Sequence, residues 1–188
     1  MTGMQDFFGR AEAAPERVVV VMADQGRSYS AGALAQLAQQ MAQWLAAQGL
    51  QAGERFAVLL ENRVEILALV LAARQAGLYA AVLSTHLTPD EVAYIVADSG
   101  ARLVVASAKT LPQLAALQAS PSLPCWSVDE ATPQAPSLQA ALAALQGAPM
   151  DFQDRPLGRD LLYSSGTTGR PKGVLKPLWP AALRGQAD

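Results

Sequence analysis

Cysteine and histidine are almost missing from this chain, at one residue each, Cys125 and His86. One cysteine excludes an internal disulfide and any metal site built from clustered cysteines, and it fits a reducing cytoplasm. Charge is also sparse: charged residues make up 16% of the sequence and the net charge is −2. With no basic stripe to neutralise the phosphates of a duplex, the composition argues against a nucleic-acid partner. Long apolar runs are absent. The longest, Ile66–Ala73, is bounded by Glu65 and Arg74, far short of the roughly 20 residues a membrane-spanning helix needs. The first residues, MTGMQDFFGRAEAAPE, lack a basic segment followed by an apolar one, so no secretory signal is expected. What is present is the composition of a soluble protein: 188 residues, 51% of them hydrophobic, enough for one good core.

Apolar periodicity orders the chain into alternating strands and helices. Arg17–Ala23 and Arg27–Ser30 bracket Asp24-Gln-Gly26, which reads as a hairpin turn. Ser30 can cap a helix whose apolar positions Leu34, Leu37, Met41, Trp44 and Leu45 keep helical spacing, with Gly49 as the stop. Phe56–Leu60 is short, uncharged and apolar, as a strand covered on both faces should be. Asn62-Arg-Val-Glu65 reads as a variant capping box that opens a helix running to Gln75. Leu78–Leu83 is the next strand. Thr88-Pro-Asp-Glu91 specifies a further helix start, with a capping threonine, proline at the first position and glutamate at the third. That helix ends near Gly100, and Leu103–Ala106 returns as a strand. Such alternation predicts an α/β fold: a doubly wound, largely parallel sheet with helices on both faces. From Leu111 to Pro156 prolines interrupt the pattern, leaving short helices around Leu111–Gln118 and Ser137–Gln146 and a strand at Cys125–Val128. Pro149–Arg159 reads as irregular surface.

The chemistry concentrates in Leu161–Val174, LLYSSGTTGRPKGV. Gly166, Gly169 and Gly173 let the backbone turn sharply and approach a ligand. Successive N–H groups in such a turn form a nest for an anion. Ser164, Ser165, Thr167 and Thr168 add hydroxyl donors, and Lys172 adds a compact charge suited to phosphate. Taken together, these groups suit a polyphosphate. A Ser/Gly/Thr stretch can equally be a linker or a hairpin tip. The order Gly169-Arg-Pro-Lys172 is not the G-K-[ST] of a Walker loop, and no G-x-G-x-x-G is present, which disfavours a nucleotide hydrolase.

The run Tyr163–Gly173 closely resembles the signature loop of the adenylate-forming enzymes, which include acyl-CoA synthetases, luciferases and nonribosomal peptide adenylation domains. Phe56-Ala-Val-Leu-Leu-Glu-Asn62, Ala76–Leu83, Leu87–Ile95 and Asp98–Val105 resemble that family's N-terminal region in the same order. SSGTTGRPKGV and STHLTPDE are most similar to fatty acyl-CoA synthetases. The resemblance spans most of Arg17–Pro177 and is weak between Ser107 and Asp160. It implies activation of a small carboxylic acid by ATP to acyl-AMP and pyrophosphate, then thioester formation with CoA. Ser164, Ser165, Gly166, Thr167, Thr168, Gly169 and Lys172 would then hold the nucleotide phosphates with Mg²⁺, and Lys172 would be the catalytic residue. Relatives continue well beyond this loop. Residues 1–188 are therefore expected to be an N-terminal subdomain truncated after the loop at 161–175 and lacking a C-terminal domain. Such a fragment is expected to be inactive alone and to self-associate through surface that later sequence would cover. The alternative is a non-catalytic α/β module, or a subunit completed by another chain.

The remaining candidates have simpler explanations. His86 follows a strand end, where α/β proteins place functional groups, yet no orienting partner is in view. Cys125 reads as a small buried residue and Trp44 as core. Asp90 and Glu91 suit a helix N-terminus.

Overall fold

The computed structural model describes residues 6–118, 123–146, 150–164 and 170–185. Asp6 caps α1 (Phe7–Ala13) by accepting from the Gly9 N–H at 2.9 Å. β1 (Val18–Met22) and β2 (Arg27–Ser30) pair antiparallel around a turn closed by Gly26 at φ 61°. Ser30 then caps α2 (Ala31–Ala47), accepting from Ala33 at 3.2 Å. Of the predicted apolar stripe, Leu34, Met41, Trp44 and Leu45 are buried and Leu37 is half-buried against the same core.

After β3 (Arg55–Leu59) comes α3 (Val64–Ala76), and here local chemistry gives way to tertiary pairing. The residue at the helix entrance is Arg63, not Asn62, and no side chain caps it. Arg63 turns instead toward Asp129, donating at 2.7 Å across the sheet end, and toward Glu65 at 3.1 Å. The glutamate a capping box would need is thus engaged with the guanidinium.

Gly77 closes α3 at φ 75° before β4 (Tyr79–Val82). α4 (Pro89–Ser99) starts with the full capping box: Thr88 accepts from Glu91 N–H, and the Glu91 carboxylate accepts from Thr88 N–H at 2.8 Å. Then follow β5 (Val104–Ala106), a 3₁₀ turn at Leu111–Leu114 running into α5 (Ala115–Gln118), β6 (Cys125–Ser127) and α6 (Leu138–Ala143). The last strands are β7 (Arg159–Asp160), β8 (Leu162–Ser164) and β9 (Lys172–Val174), followed by a 3₁₀ turn at Ala181–Leu183.

Five strands form one parallel sheet in the order β6-β5-β3-β4-β7. Alternation along β3 divides its side chains between two cores. Phe56 and Val58, with Leu60 just beyond the strand, join Trp44, Leu45 and Leu69 under α2 and α3. Ala57 and Leu59 join Val92, Ile95 and Leu114 under α4 and the turn before α5. Each large apolar side chain so enclosed contributes about 1.5–3 kcal/mol. The sheet is doubly wound, as the alternation of elements predicts.

The stretch before β7 differs in part from expectation. Met150, Asp151, Gln153 and Asp154 are exposed, as irregular surface should be, but Phe152 and Leu157 are each 3% exposed and anchor the stretch in the core. The chain then slips Gly158 beneath α3, its N–H donating to the Arg74 carbonyl at 2.9 Å, and lays β7 along β4.

Candidate functional site

β7 runs parallel to β4, so the chain leaving it emerges at the carboxyl ends of the strands, where open α/β sheets place their ligand sites. It enters an antiparallel hairpin. Leu162 pairs with Val174, Tyr163 with Gly173 and Ser164 with Lys172. The last pair sets Ser164 and Lys172 level with each other at one end of the paired strands, both exposed. Ser165, Gly166, Thr167, Thr168 and Gly169 lie outside the described residues.

Several side chains fix the stem, and the sequence pattern singled out none of them as supports. Tyr163 donates its hydroxyl to Asp98 of α4 at 2.7 Å. Burial, then the bond to Asp98, raises the phenol above the ordinary tyrosine range, so the hydroxyl stays a donor. Arg170 lies 5.2 Å from the Tyr94 ring centroid. Past β9, the Lys176 carbonyl accepts from the Tyr79 hydroxyl at 2.7 Å. Trp179 exchanges two backbone hydrogen bonds with Leu157 and is flanked by the guanidiniums of Arg74 and Arg159, 4.6 and 4.5 Å from its ring centroid. The cavity beside this stack measures about 170 Å³, less than the roughly 300 Å³ of a small-molecule pocket.

Gly173 has a role the residue type does not announce. It is not among the positive-φ glycines; a Cβ there would meet the Tyr163 ring at 3.0 Å. What the position requires is space for the tyrosine, not a left-handed backbone.

The other candidates keep structural roles. His86 is exposed in the loop after β4, its N–H donating to Ser84 Oγ at 3.2 Å. Cys125 is buried, and burial pushes its thiol above the ordinary value. Trp44 is 1% exposed and meets Trp126 edge to face at 5.2 Å. Among the described residues no group of three His, Cys, Asp or Glu is arranged to hold a metal ion, and no helix is long and apolar enough to cross a membrane.

The profile of the AMP-binding enzyme family matches residues 7–177, nearly the whole chain. The chain belongs to that family. It is similar to the long-chain-fatty-acid–CoA ligase FadD13 of Mycobacterium tuberculosis, 34% identical over 141 residues, covering 74% of this chain and 27% of the relative. It is similar also to the 4-hydroxybenzoate–CoA/benzoate–CoA ligase of Rhodopseudomonas palustris, 33% identical over 179 residues, covering 90% of this chain and 32% of the relative. Among solved structures, the inhibitor-bound N-terminal domain of FACL13 from M. tuberculosis superposes with a TM-score of 0.76 at 28% identity, covering 92% of this chain and 44% of that one. The chain thus spans about a third or less of these curated relatives. The match at 7–177 takes in the parallel sheet and both described strands of the hairpin.

Proposed function

We propose that this chain is the N-terminal part of an ATP-dependent acyl-CoA synthetase acting in the cytoplasm, most similar to those that activate fatty acids. The observation that carries the proposal is the pairing of Ser164 with Lys172 at one end of a hairpin beyond the carboxyl ends of the sheet, within the family match at 7–177. A carboxylate attacks the α-phosphate of ATP to give acyl-AMP and pyrophosphate, and the thiol of CoA then displaces AMP. Ser164, Ser165, Gly166, Thr167, Thr168, Gly169 and Lys172 hold the β- and γ-phosphates. Charge accumulates on the departing pyrophosphate, so donors already in place lower the barrier. The hydroxyls of this run are hard oxygen donors of the kind Mg²⁺ accepts, and Mg²⁺ would come with the triphosphate and shield its charge.

Two measurements test the proposal. The 188-residue chain should bind ATP weakly, and Lys172→Ala should abolish the heat of binding in calorimetry. It should also give no carboxylate-dependent ATP–pyrophosphate exchange alone. Equal binding by wild type and Lys172→Ala would overturn the assignment. A second reading is a non-catalytic module, or a subunit completed by another chain. Exchange that appears only on mixing with a separate chain would select it.

A further inference from the structure

We infer that Asp98 and Tyr94 of α4 are positioning residues for the phosphate-binding hairpin, holding Ser164 and Lys172 in place through Tyr163 and Arg170; this rests on the function proposed above. A two-stranded hairpin is at best marginally stable by itself in water. Its strands here are only three residues long, so its position depends on what it leans against. The support is α4, whose first turn is locked by the Thr88–Glu91 box and whose Val92, Ile95 and Val96 are buried against the sheet. Tyr94 and Asp98 are four positions apart and therefore share a helix face. That face takes hold of the hairpin at Tyr163 on the entering strand and at Arg170 just ahead of the leaving one. Asp98 accepts from Tyr163 on the entering strand at 2.7 Å, and the Tyr94 ring lies 5.2 Å from Arg170 just before the leaving strand.

Gly173 completes the arrangement. Paired with Tyr163 across the stem, it lets the ring lie flush where any Cβ would press on it at 3.0 Å. The phenol is thereby aimed along one line toward Asp98. Phosphate donors act only when held close to their working geometry, and misplacement of about 1 Å is costly. Asp98 therefore acts through Tyr163, at a distance from the phosphates.

The charge of Asp98 makes this testable by sign. A carboxylate near a polyphosphate site repels the ligand, so if charge were its whole effect, removing it would tighten binding. Positioning requires the reverse. In the 188-residue chain, Tyr163→Phe and Asp98→Ala should each weaken inorganic tripolyphosphate roughly three- to ten-fold, the effect of one lost charge-assisted hydrogen bond at a partly exposed site. Asp98→Asn, which keeps an acceptor, should bind at least as well as wild type. Asp90→Ala, which removes another acidic residue of the same helix, is the control and should not weaken binding.

A second measurement is independent of any ligand. Trypsin cuts after Lys172 on a strand of the stem, and that cut should be faster in Tyr163→Phe and Asp98→Ala and unchanged in Asp98→Asn and Asp90→Ala. Circular dichroism of each variant separates local loosening from failure to fold. Faster cleavage with no tripolyphosphate binding in any variant would keep the clamp and remove the phosphate function. Unchanged cleavage, tighter binding by Asp98→Ala, or an Asp98→Asn variant indistinguishable from Asp98→Ala would overturn the clamp.

Discussion

Gly158 passes so close to the end of α3 that a Cβ built on it would lie 2.1 Å from the Ala73 carbonyl oxygen and 2.3 Å from that of Leu78. Both neighbours are backbone atoms and neither can swing aside. The contact is what brings β7 to the sheet: Gly158 N–H donates to Arg74, and Arg159 N–H to the Leu78 carbonyl. Nearby, a Cβ on Gly77 would meet the Pro156 carbonyl at 2.8 Å, so the crossing is tight on both sides.

Gly158→Ala is therefore expected to cost about 3 kcal/mol, at the upper end of overpacking substitutions. Urea unfolding followed by circular dichroism measures the loss. The same change should detach β7 and with it the hairpin, so trypsin cleavage after Lys172 should accelerate as well. A variant within 0.5 kcal/mol of wild type (roughly the range of surface substitutions) would mean the crossing is looser than its geometry.

A pH-dependent contribution comes from Asp129, which accepts from Arg63 at 2.7 Å and from the Ala108 N–H at 2.8 Å. Burial alone would raise this carboxyl, but the Ala108 hydrogen bond and the Arg63 guanidinium outweigh it and hold it below the ordinary aspartate value. A carboxyl lowered on folding adds stability that is complete above its unfolded value, near 3.9, and disappears as pH falls through the folded value. Asp129→Asn should cost about 1–2 kcal/mol at neutral pH, between an exposed and a buried pair. It should also flatten stability against pH below about 4. A variant whose acid limb matches wild type would remove Asp129 from that role.

How much of this was legible depended on how local each cause was. The box at Thr88 and Glu91 is complete within four residues, and the structure forms it as the sequence indicates. The start of α3 was not legible, because Arg63 is engaged by a residue 66 positions away. β7 is two residues long and carries no pattern of its own; it is a strand only because β4 offers an edge. Within the signature run, glycine suggested a turn at 173, whereas the structure puts a tyrosine ring there. Asp98 gave no signal, because its partner Tyr163 lies 65 positions on.

The outer hairpin should govern self-association. Val18, Val19 and Val21 of β1 are 54%, 43% and 67% exposed, and Leu67 of α3 is 43% exposed. Val19 and Leu67 line the same apolar groove, together with Phe7 and Leu71. An exposed apolar patch on a strand favours contact with a second copy. Val21→Lys should shift the chain toward monomer in sedimentation velocity without lowering its unfolding midpoint. Monodisperse wild-type monomer at high concentration would contradict this.

Replacing Lys172 should separate the two half-reactions. It stands on the hairpin stem opposite Ser164, and on the function proposed above its ammonium would meet the triphosphate and not the thiol. Charge moves onto pyrophosphate only during adenylation, so in a full-length synthetase carrying this segment Lys172→Ala should slow that step and nearly spare thioester formation from supplied acyl-AMP. A lost transition-state contact of about 2–4 kcal/mol lowers the rate roughly 30- to 1000-fold. Lys172→Arg should recover little, since a broad planar guanidinium does not replace a compact ammonium in a tight turn. Rates of both steps, measured separately by pyrophosphate exchange and by CoA consumption, give the result. Equal losses in the two steps would make Lys172 a structural residue of the stem, and no loss in either would remove it from the site.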